Sequence, residues 1–203
     1  MSFVSADYEL IREGCRSSAQ ALVPILDDLL KPSSVLDVGG GEGYFAREFE
    51  RRGVRVTTVD GPGSNADIVC DLELGLPQQL ERADVVLCLE VAEHLSERAG
   101  ERLVSALCTH AVSAVVFSAA IPGQGGIGHI NERWPDYWEA QFEDRGLFVT
   151  GDLRWRIWDD QRIENWYRQN LLVASRVKLA DLSFGPVLSV VHPVLFDARR
   201  DNR

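Results

Sequence analysis

An apolar segment that runs into a cluster of glycines constrains this chain more than any other feature. The stretch reads Val35-Leu-Asp-Val-Gly-Gly-Gly-Glu-Gly-Tyr-Phe45, with four glycines within residues 39–43. Glycine adopts backbone conformations that other residues avoid, and it lets another group approach the main chain closely. We therefore predict a buried strand, a sharp turn and a helix here, with a ligand or a second backbone lying against the turn.

The wider pattern alternates short apolar runs with longer amphipathic segments. This alternation is typical of a mostly parallel sheet with helices on both faces, so the predicted fold class is α/β in a single domain. The predicted strands are 34–38, 54–59, 67–70, 84–89, 114–120, 147–154 and 171–177. The predicted helices are a pair within 5–30, then 44–52, 96–109 with Ser96 as its cap, and 135–145.

Composition limits the partners and the compartment. The apolar runs are too short to cross a membrane, and a net charge of −10 opposes nucleic acid, whose affinity depends on Lys and Arg. The four cysteines show no paired spacing, which is typical of thiols in a reducing compartment. We expect a cytoplasmic protein with a small-molecule ligand, no membrane or nucleic-acid partner, and a surface compatible with a homodimer.

The spacing of the glycines narrows what the turn can bind. A phosphate-binding loop requires Lys-Ser/Thr after its last glycine, but Tyr44 and Phe45 follow here. A dinucleotide fingerprint counted from Gly39 requires a sixth-position glycine where Tyr44 stands. What remains is Asp37-x-Gly39-x-Gly41-x-Gly43, with a purely structural turn as the alternative.

This pattern resembles motif I of the class I S-adenosylmethionine-dependent methyltransferases. The resemblance covers about residues 35–120 and implies a Rossmann-like, seven-stranded, mostly parallel sheet with one antiparallel strand near the carboxyl end. It also implies that the cofactor, S-adenosylmethionine, lies across a turn where any Cβ would collide with it. Asp37 would orient the turn or the cofactor's ammonium group.

Acidic residues at later strand ends follow the same family order. Asp60 closes the second strand, where its carboxylate would accept the ribose hydroxyls, although a turn-forming Asp before Gly61 is equally compatible. Asp71 and Leu72 resemble the position that contacts adenine. Glu90 ends a segment that resembles the lining of the cofactor's methionine part.

The segment Glu90-Val-Ala-Glu-His-Leu95 contains the most reactive side chains. Methyl transfer is an in-line displacement, so a base that accepts the acceptor's proton is the main chemical requirement. His94 is the first candidate because an imidazole titrates near neutral pH, and His129 is expected at the same sheet edge. A plain capping or hydrogen-bonding role for His94 is the alternative.

Glu90, Glu93, His94 and His129 together would suit a divalent metal, since two carboxylates and two imidazoles are ligands of Mg²⁺, Mn²⁺, Fe²⁺ or Zn²⁺. The Glu-x-x-Glu-His run with a later His is similar to the small-RNA 3′-end 2′-O-methyltransferases, where a metal grips the terminal ribose. The acidity of this chain argues against RNA. Without a metal, His94 or His129 would act alone, with Glu93 beside them.

All five tryptophans fall within residues 134–166, and Tyr137 and Tyr167 lie among them. Aromatic faces hold sugars and rings, so we predict an acceptor pocket that includes Asn131, Trp134 and Trp138. The alternative is that Trp134 and Trp138, one helical turn apart, pack on the sheet or at a dimer contact.

These observations predict a single methyltransferase domain over 1–203. It comprises a helical lid (1–30), a cofactor-binding core (34–120), an acceptor side (121–178) and a C-terminal extension (179–203). Tyr8 and Arg12 lie one helical turn apart in the lid, where Arg12 would meet the cofactor's carboxylate; a plain packing helix is the alternative. The predicted reaction is O-methylation of a sugar, glycoside or other small metabolite. Three rivals stand beside it: a metal-assisted RNA-end enzyme, a non-catalytic cofactor-binding partner protein and an NAD-dependent oxidoreductase.

Overall fold

The computed structural model describes residues 3–200, with side chains described for residues 9–197. The strands are β1 (Ser34–Val38), β2 (Arg55–Asp60), β3 (Ile68–Val69), β4 (Ala83–Leu89), β5 (Ala111–Ser118), β6 (Phe148–Thr150) and β7 (Leu172–Ser175). The helices are α1 (Phe3–Leu30), α2 (Tyr44–Arg51), α3 (Glu97–His110), α4 (Pro135–Glu143), α5 (Asp152–Ile157), α6 (Asn165–Asn170) and α7 (Pro193–Arg200), with a 3₁₀ turn at Ala92–His94.

The seven strands form one sheet in the order β3-β2-β1-β4-β5-β7-β6. The pairs β3/β2, β2/β1, β1/β4 and β4/β5 are parallel, whereas β7 runs antiparallel to both β5 and β6. This confirms the predicted Rossmann-like sheet with one antiparallel strand near the carboxyl end. The carboxyl ends of β1, β2, β4 and β5 therefore meet at one edge, where open α/β sheets place their ligands.

Helices cover both faces of the sheet and create two hydrophobic cores. On one face, α1 and α2 bury side chains such as Leu22 and Phe49 against β1 and β4. On the other face, α3 and α4 bury Leu103, Trp138 and Phe142 against β4 and β5. Within residues 3–200, no helix combines the length and the apolar character that a bilayer crossing needs.

The predicted N-terminal helical pair is wrong, because α1 is a single helix of 28 residues with Pro24 inside it. Proline removes one backbone donor and normally bends or ends a helix. Here the neighbouring turns bury Leu22, Val23 and Leu26 completely. That burial of apolar surface offsets the lost hydrogen bond, so the helix continues to Leu30.

The strand predicted at 147–154 is also only partly correct, since β6 ends at Thr150 and α5 follows. The Thr150 hydroxyl accepts a hydrogen bond from the Asp152 N–H, which starts the helix. Arg154 then turns inward and donates hydrogen bonds to the carbonyls of Gly151, Gln169 and Leu188. The alternating pattern on which the strand prediction depended does not predict this inward position of Arg154.

Candidate active site

A cavity of about 670 Å³ lies over the carboxyl edge of β1 and β4. Two helices and the first sheet edge supply part of the lining: Ile11, Arg12 and Cys15 from α1, Asp37 and residues 39–42 from the end of β1 and its turn, and Tyr44 and Phe45 from the start of α2. The segment after β4 supplies Leu89, Glu90, Glu93 and His94. The loop after β5 (124–127 and His129) and α6 (Trp166 and Tyr167) complete the lining. A cavity of this size suits a small ligand.

The first half of α1 forms one wall of the cavity. Its Arg12 guanidinium lies 3.0 Å from the Glu42 carboxylate, which ties α1 to the glycine turn. Arg12 therefore lies on the wall of the cavity, and the lid role of α1 stays a prediction. The side chain of Tyr8, its predicted companion, falls outside the described residues.

Glycines at three alternating positions determine the backbone conformation of the turn after β1. Gly39, Gly41 and Gly43 have φ values of 76°, 55° and 71°, which lie in the left-handed region that favours glycine. The Gly43 N–H donates to the Gly40 carbonyl at 2.8 Å, and α2 begins at the next residue.

The space around each glycine differs. A Cβ at Gly39 would overlap Val91, and a Cβ at Gly40 would lie 2.6 Å from Asp37 Oδ2. At Gly41, by contrast, no atom of the described structure lies within 4 Å of the Cβ position. The resemblance implies that the cofactor excludes side chains from this turn; at Gly39 and Gly40 the protein itself excludes them, and of these three glycines only Gly41 opens into free space.

Asp37 is buried beneath this turn, with 3% of its surface exposed and Oδ2 lacking a hydrogen-bond partner in the described structure. Burial raises its pKa to about 7, and the negative charge of Asp60 adds to the shift. A cation that entered the cavity would favour the ionised form of Asp37.

The other predicted acids lie at the same edge but are engaged differently. Asp60 accepts the N–H groups of Gly41 (2.7 Å) and Gly61 (2.5 Å), one on each oxygen. Asp71 is exposed and accepts only a local bond from the Glu73 N–H, at 2.9 Å. The side chain of Leu72 is 9% exposed and packs in the core, so only its backbone is available to a ligand.

Glu90 ends β4 in an unusual conformation, with φ 55°. Its N–H donates to the Ser118 carbonyl on β5 at 2.9 Å. Its carboxylate accepts the side-chain amides of Gln124 (2.9 Å) and Asn170 (3.0 Å). Non-glycine residues in this region carry strain and are frequent at functional sites. Burial raises the pKa of Glu90, although its amide partners limit the increase.

Glu93, His94 and His129 converge as the sequence predicted. Each offers a ligand atom, and these atoms lie within 4.8 Å of one another. Glu93 is fully buried, neither carboxylate oxygen has a partner in the described structure, and burial with the nearby Glu90 raises its pKa to about 9. Glu90 does not join this group, because its oxygens hold Gln124 and Asn170; the predicted four-residue metal set is therefore corrected to three.

The two imidazoles lie edge to face, with ring centroids 4.8 Å apart. Burial and the neighbouring His129 lower the pKa of His94, which a hydrogen bond with Gly128 partly opposes. His94 is therefore neutral at pH 7. His129 Nδ1 lies 3.2 Å from the Glu132 carboxylate.

The three predicted acceptor residues do not line the cavity. Trp138 is 1% exposed and packs against Phe117 and Tyr137, and so belongs to the core. Asn131 is buried and bonds to the Ala92 carbonyl, while Trp134 precedes α4, 38% exposed and away from the cavity. The alternative that helical spacing reflects packing on the sheet describes Trp138 correctly.

Sequence reasoning missed several residues of the lining. Trp166 and Tyr167 supply the aromatic surface, and the Tyr167 hydroxyl lies 3.6 Å from Cys15 Sγ. Gln124 enters from the glycine-rich loop after β5. Trp166 and Tyr167 belong to the aromatic segment that the sequence singled out, but their spacing alone did not separate them from core residues.

Comparisons with known proteins agree with this arrangement. The family described as "Methyltransferase domain" matches residues 10–112, and no curated protein matches the chain significantly. Among solved structures, magnesium protoporphyrin IX methyltransferase (ChlM) from Synechocystis PCC 6803, with bound S-adenosylmethionine, is 20% identical, covers 87% of this chain and 85% of its own, and has a TM-score of 0.60.

Two structures from actinomycetes are similar at the level of the fold. Streptomyces venezuelae DesVI is 13% identical, with 85% of this chain and 98% of its own covered and a TM-score of 0.60. CalS10, an amino pentose methyltransferase from Micromonospora echinaspora, is 14% identical and has a TM-score of 0.60; the match covers 87% of this chain and 98% of CalS10. Because the family match spans half of the chain and these structures share its fold, the chain belongs to the S-adenosylmethionine-dependent class I methyltransferases.

Proposed function

We propose that this methyltransferase methylates a hydroxyl oxygen of a small metabolite such as a sugar or glycoside. The observation that carries the proposal is the pair of imidazoles, His94 and His129, on the wall of the cavity. Imidazoles accept protons near neutral pH, which hydroxyl methylation requires. The relatives named for an amino pentose and for magnesium protoporphyrin IX also act on small molecules.

The charges around the cavity favour a neutral or cationic acceptor. Asp37, Glu42, Glu90 and Glu93 line it, and the one guanidinium among its lining residues, that of Arg12, is paired with Glu42. An acidic environment stabilises a sulfonium cation and repels phosphates. RNA, which needs several Lys or Arg contacts to its backbone, is therefore a poor acceptor for this site.

The residues of the chain would divide the work as follows. When bound, S-adenosylmethionine supplies a methyl group on a cationic sulfur that is open to in-line attack. The neutral imidazole of His94 accepts the proton of the acceptor hydroxyl. His129 supports the same proton transfer, and a carboxyl oxygen of the buried Glu93 lies within 4.8 Å of a nitrogen of each imidazole. The walls hold the acceptor in line and exclude water.

We also propose the predicted cofactor residues for this site. The turn 39–43 would lie against the cofactor because the Cβ position of Gly41 is open. Asp60 would accept ribose hydroxyls, since each carboxylate oxygen keeps a free lone pair beside its backbone partner. Asp37 would face the ammonium group. Asp71, with the backbone of Leu72, would meet adenine at the end of β3.

A metal-assisted reaction is a second candidate, favoured by the convergence of Glu93, His94 and His129. These three residues fit a divalent ion because both Glu93 oxygens lack partners and two imidazoles face them. An ion held there would lower the pKa of an acceptor hydroxyl. Glu90 would not take part.

If the protein is a non-catalytic cofactor-binding partner, the same cavity binds the cofactor without supporting methyl transfer. In that case the purified protein binds S-adenosylmethionine but forms no S-adenosylhomocysteine with a panel of sugars, glycosides and phenols. Calorimetry with NADH in place of S-adenosylmethionine tests the oxidoreductase alternative, because an NAD-dependent enzyme must bind NADH.

Gly41→Ala tests where the cofactor lies. The substitution should weaken S-adenosylmethionine binding at least about tenfold, because the new Cβ enters the space left for the ligand, while backbone strain costs about 1 kcal/mol of folding stability. Calorimetry and chemical denaturation measure the two effects. Gly53→Ala is the matched control: φ is 81° and no neighbour lies near, but Gly53 lies at the end of α2 outside the cavity. Equal affinity in both variants would contradict the proposed cofactor position.

The raised pKa of Asp37 predicts that cofactor binding releases a proton. In the free protein its pKa is about 7, above the ordinary 3.8, so the carboxyl is largely protonated at pH 6. A cationic ligand favours ionisation, so at pH 6 binding should release more protons from wild type than from Asp37→Asn, and the difference should disappear at pH 8.5, where Asp37 is already ionised. Calorimetry in two buffers of different ionisation enthalpy counts the protons. Equal counts in the two proteins at pH 6 would exclude Asp37 as a source.

His94→Ala and His129→Ala should each lower turnover by roughly 10² to 10⁴, the usual contribution of a general base, with cofactor affinity nearly unchanged. S-adenosylhomocysteine formation with an active member of the acceptor panel provides the assay. Because the pKa of His94 is lowered, wild-type activity should persist below pH 6.5 and fall only at more acidic pH. His110→Gln, at the far end of α3, serves as control. Full activity in both alanine variants would refute the imidazole mechanism.

Chelation separates the two candidate mechanisms. If the imidazoles act alone, dialysis against EDTA followed by assay in metal-free buffer should leave turnover unchanged. If turnover disappears and Mn²⁺ or Zn²⁺ restores it in wild type but not in Glu93→Gln, the metal-assisted reaction replaces our first proposal.

A further inference from the structure

Glu132 joins the glycine-rich loop after β5 to the second imidazole. Its carboxylate accepts the N–H groups of Gly123 at 2.6 Å and Gly125 at 2.7 Å, and its Oε1 lies 3.2 Å from His129 Nδ1. The Glu132 side chain is 20% exposed and lies outside the cavity lining. It can therefore influence an acceptor only through His129 and the loop that it anchors.

The chemistry of this contact selects one form of the imidazole. Glu132 accepts two backbone N–H groups, and an ionised carboxylate can only accept hydrogen bonds. His129 must then donate to it from Nδ1. In the neutral imidazole this leaves Nε2 without a proton and able to accept one.

The loop that Glu132 anchors also sets the position of Nε2. A Cβ at Gly126 would overlap Nε2 and Cε1 of His129, and the φ of Gly126 is 154°. The imidazole therefore lies directly against the backbone of the loop. Because Gly123 and Gly125 are held by the same carboxylate, the loop and the ring occupy their positions together.

We propose that Glu132 is a positioning residue that fixes His129 as the Nδ1–H tautomer and leaves Nε2 as the basic nitrogen. The effect on turnover rests on the proposed function. The tautomer does not, because it is a property of the free protein.

The tautomer can be read directly from imidazole ¹⁵N shifts of labelled protein at pH 8. In wild type, Nδ1 of His129 should be protonated and Nε2 unprotonated. Glu132→Ala should shift the population towards the Nε2–H form that free imidazoles prefer, and Glu132→Asp should restore part of the wild-type signal. Glu139→Ala is the matched control, since this carboxylate also accepts a backbone N–H, that of Val187, outside the cavity. The same tautomer in wild type and Glu132→Ala, or Nε2–H in wild type, would overturn the proposal.

A second variant distinguishes the loss of the Glu132–His129 contact from a general loss of order in the loop. Gly126→Ala should displace the ring while Glu132 remains, so turnover should fall with the Nδ1–H signal retained. Glu132→Ala should lower kcat by roughly 10- to 100-fold, the loss typical of residues that orient an imidazole, with cofactor affinity unchanged. A tautomer shift accompanied by full turnover in His129→Ala would refute the catalytic role of His129 and leave the positioning by Glu132 intact.

Discussion

The cofactor edge of this protein depends on close packing beneath the turn after β1. Gly40 lies against the buried carboxyl of Asp37, and Gly39 lies against Val91 from the segment after β4. These contacts hold the turn flat against two strand ends before any ligand arrives. In the proposed site the cofactor would displace no side chain of this turn, because the Cβ position of Gly41 is open and Gly41 lines the cavity.

The same packing explains the unusual charge state of the site. Asp37 is buried for structural reasons, and burial near Asp60 raises its pKa to about 7. Glu93 is buried close to Glu90 and to two imidazoles, and burial raises its pKa to about 9. Both carboxyls are poorly stabilised as anions in the free protein. A cationic ligand, or a proton taken up by a neighbouring imidazole, supplies the missing positive charge.

The sequence predicted the sheet and the acidic side chains at one of its edges because these depend on local patterns. Strand ends marked by Asp37, Asp60 and Glu90 place side chains at one edge of any parallel sheet. The convergence of Glu93, His94 and His129 followed from β4 and β5 being neighbours. The direction of Glu90 could not be predicted, since it depends on a φ of 55° and on Asn170, 80 residues away.

The aromatic segment shows where a one-dimensional pattern is insufficient. Trp134 and Trp138 share a helical spacing, which fixes that they lie near each other but not what they face. The sheet covers Trp138, while Trp166 and Tyr167, on a helix of six residues, reach the cavity. Because α6 and the glycine-rich loop meet through Gln124 and Asn170, this wall of the cavity is assembled from segments distant in sequence. If the acceptor binds here as proposed, its recognition depends on these tertiary contacts and not on a local sequence pattern.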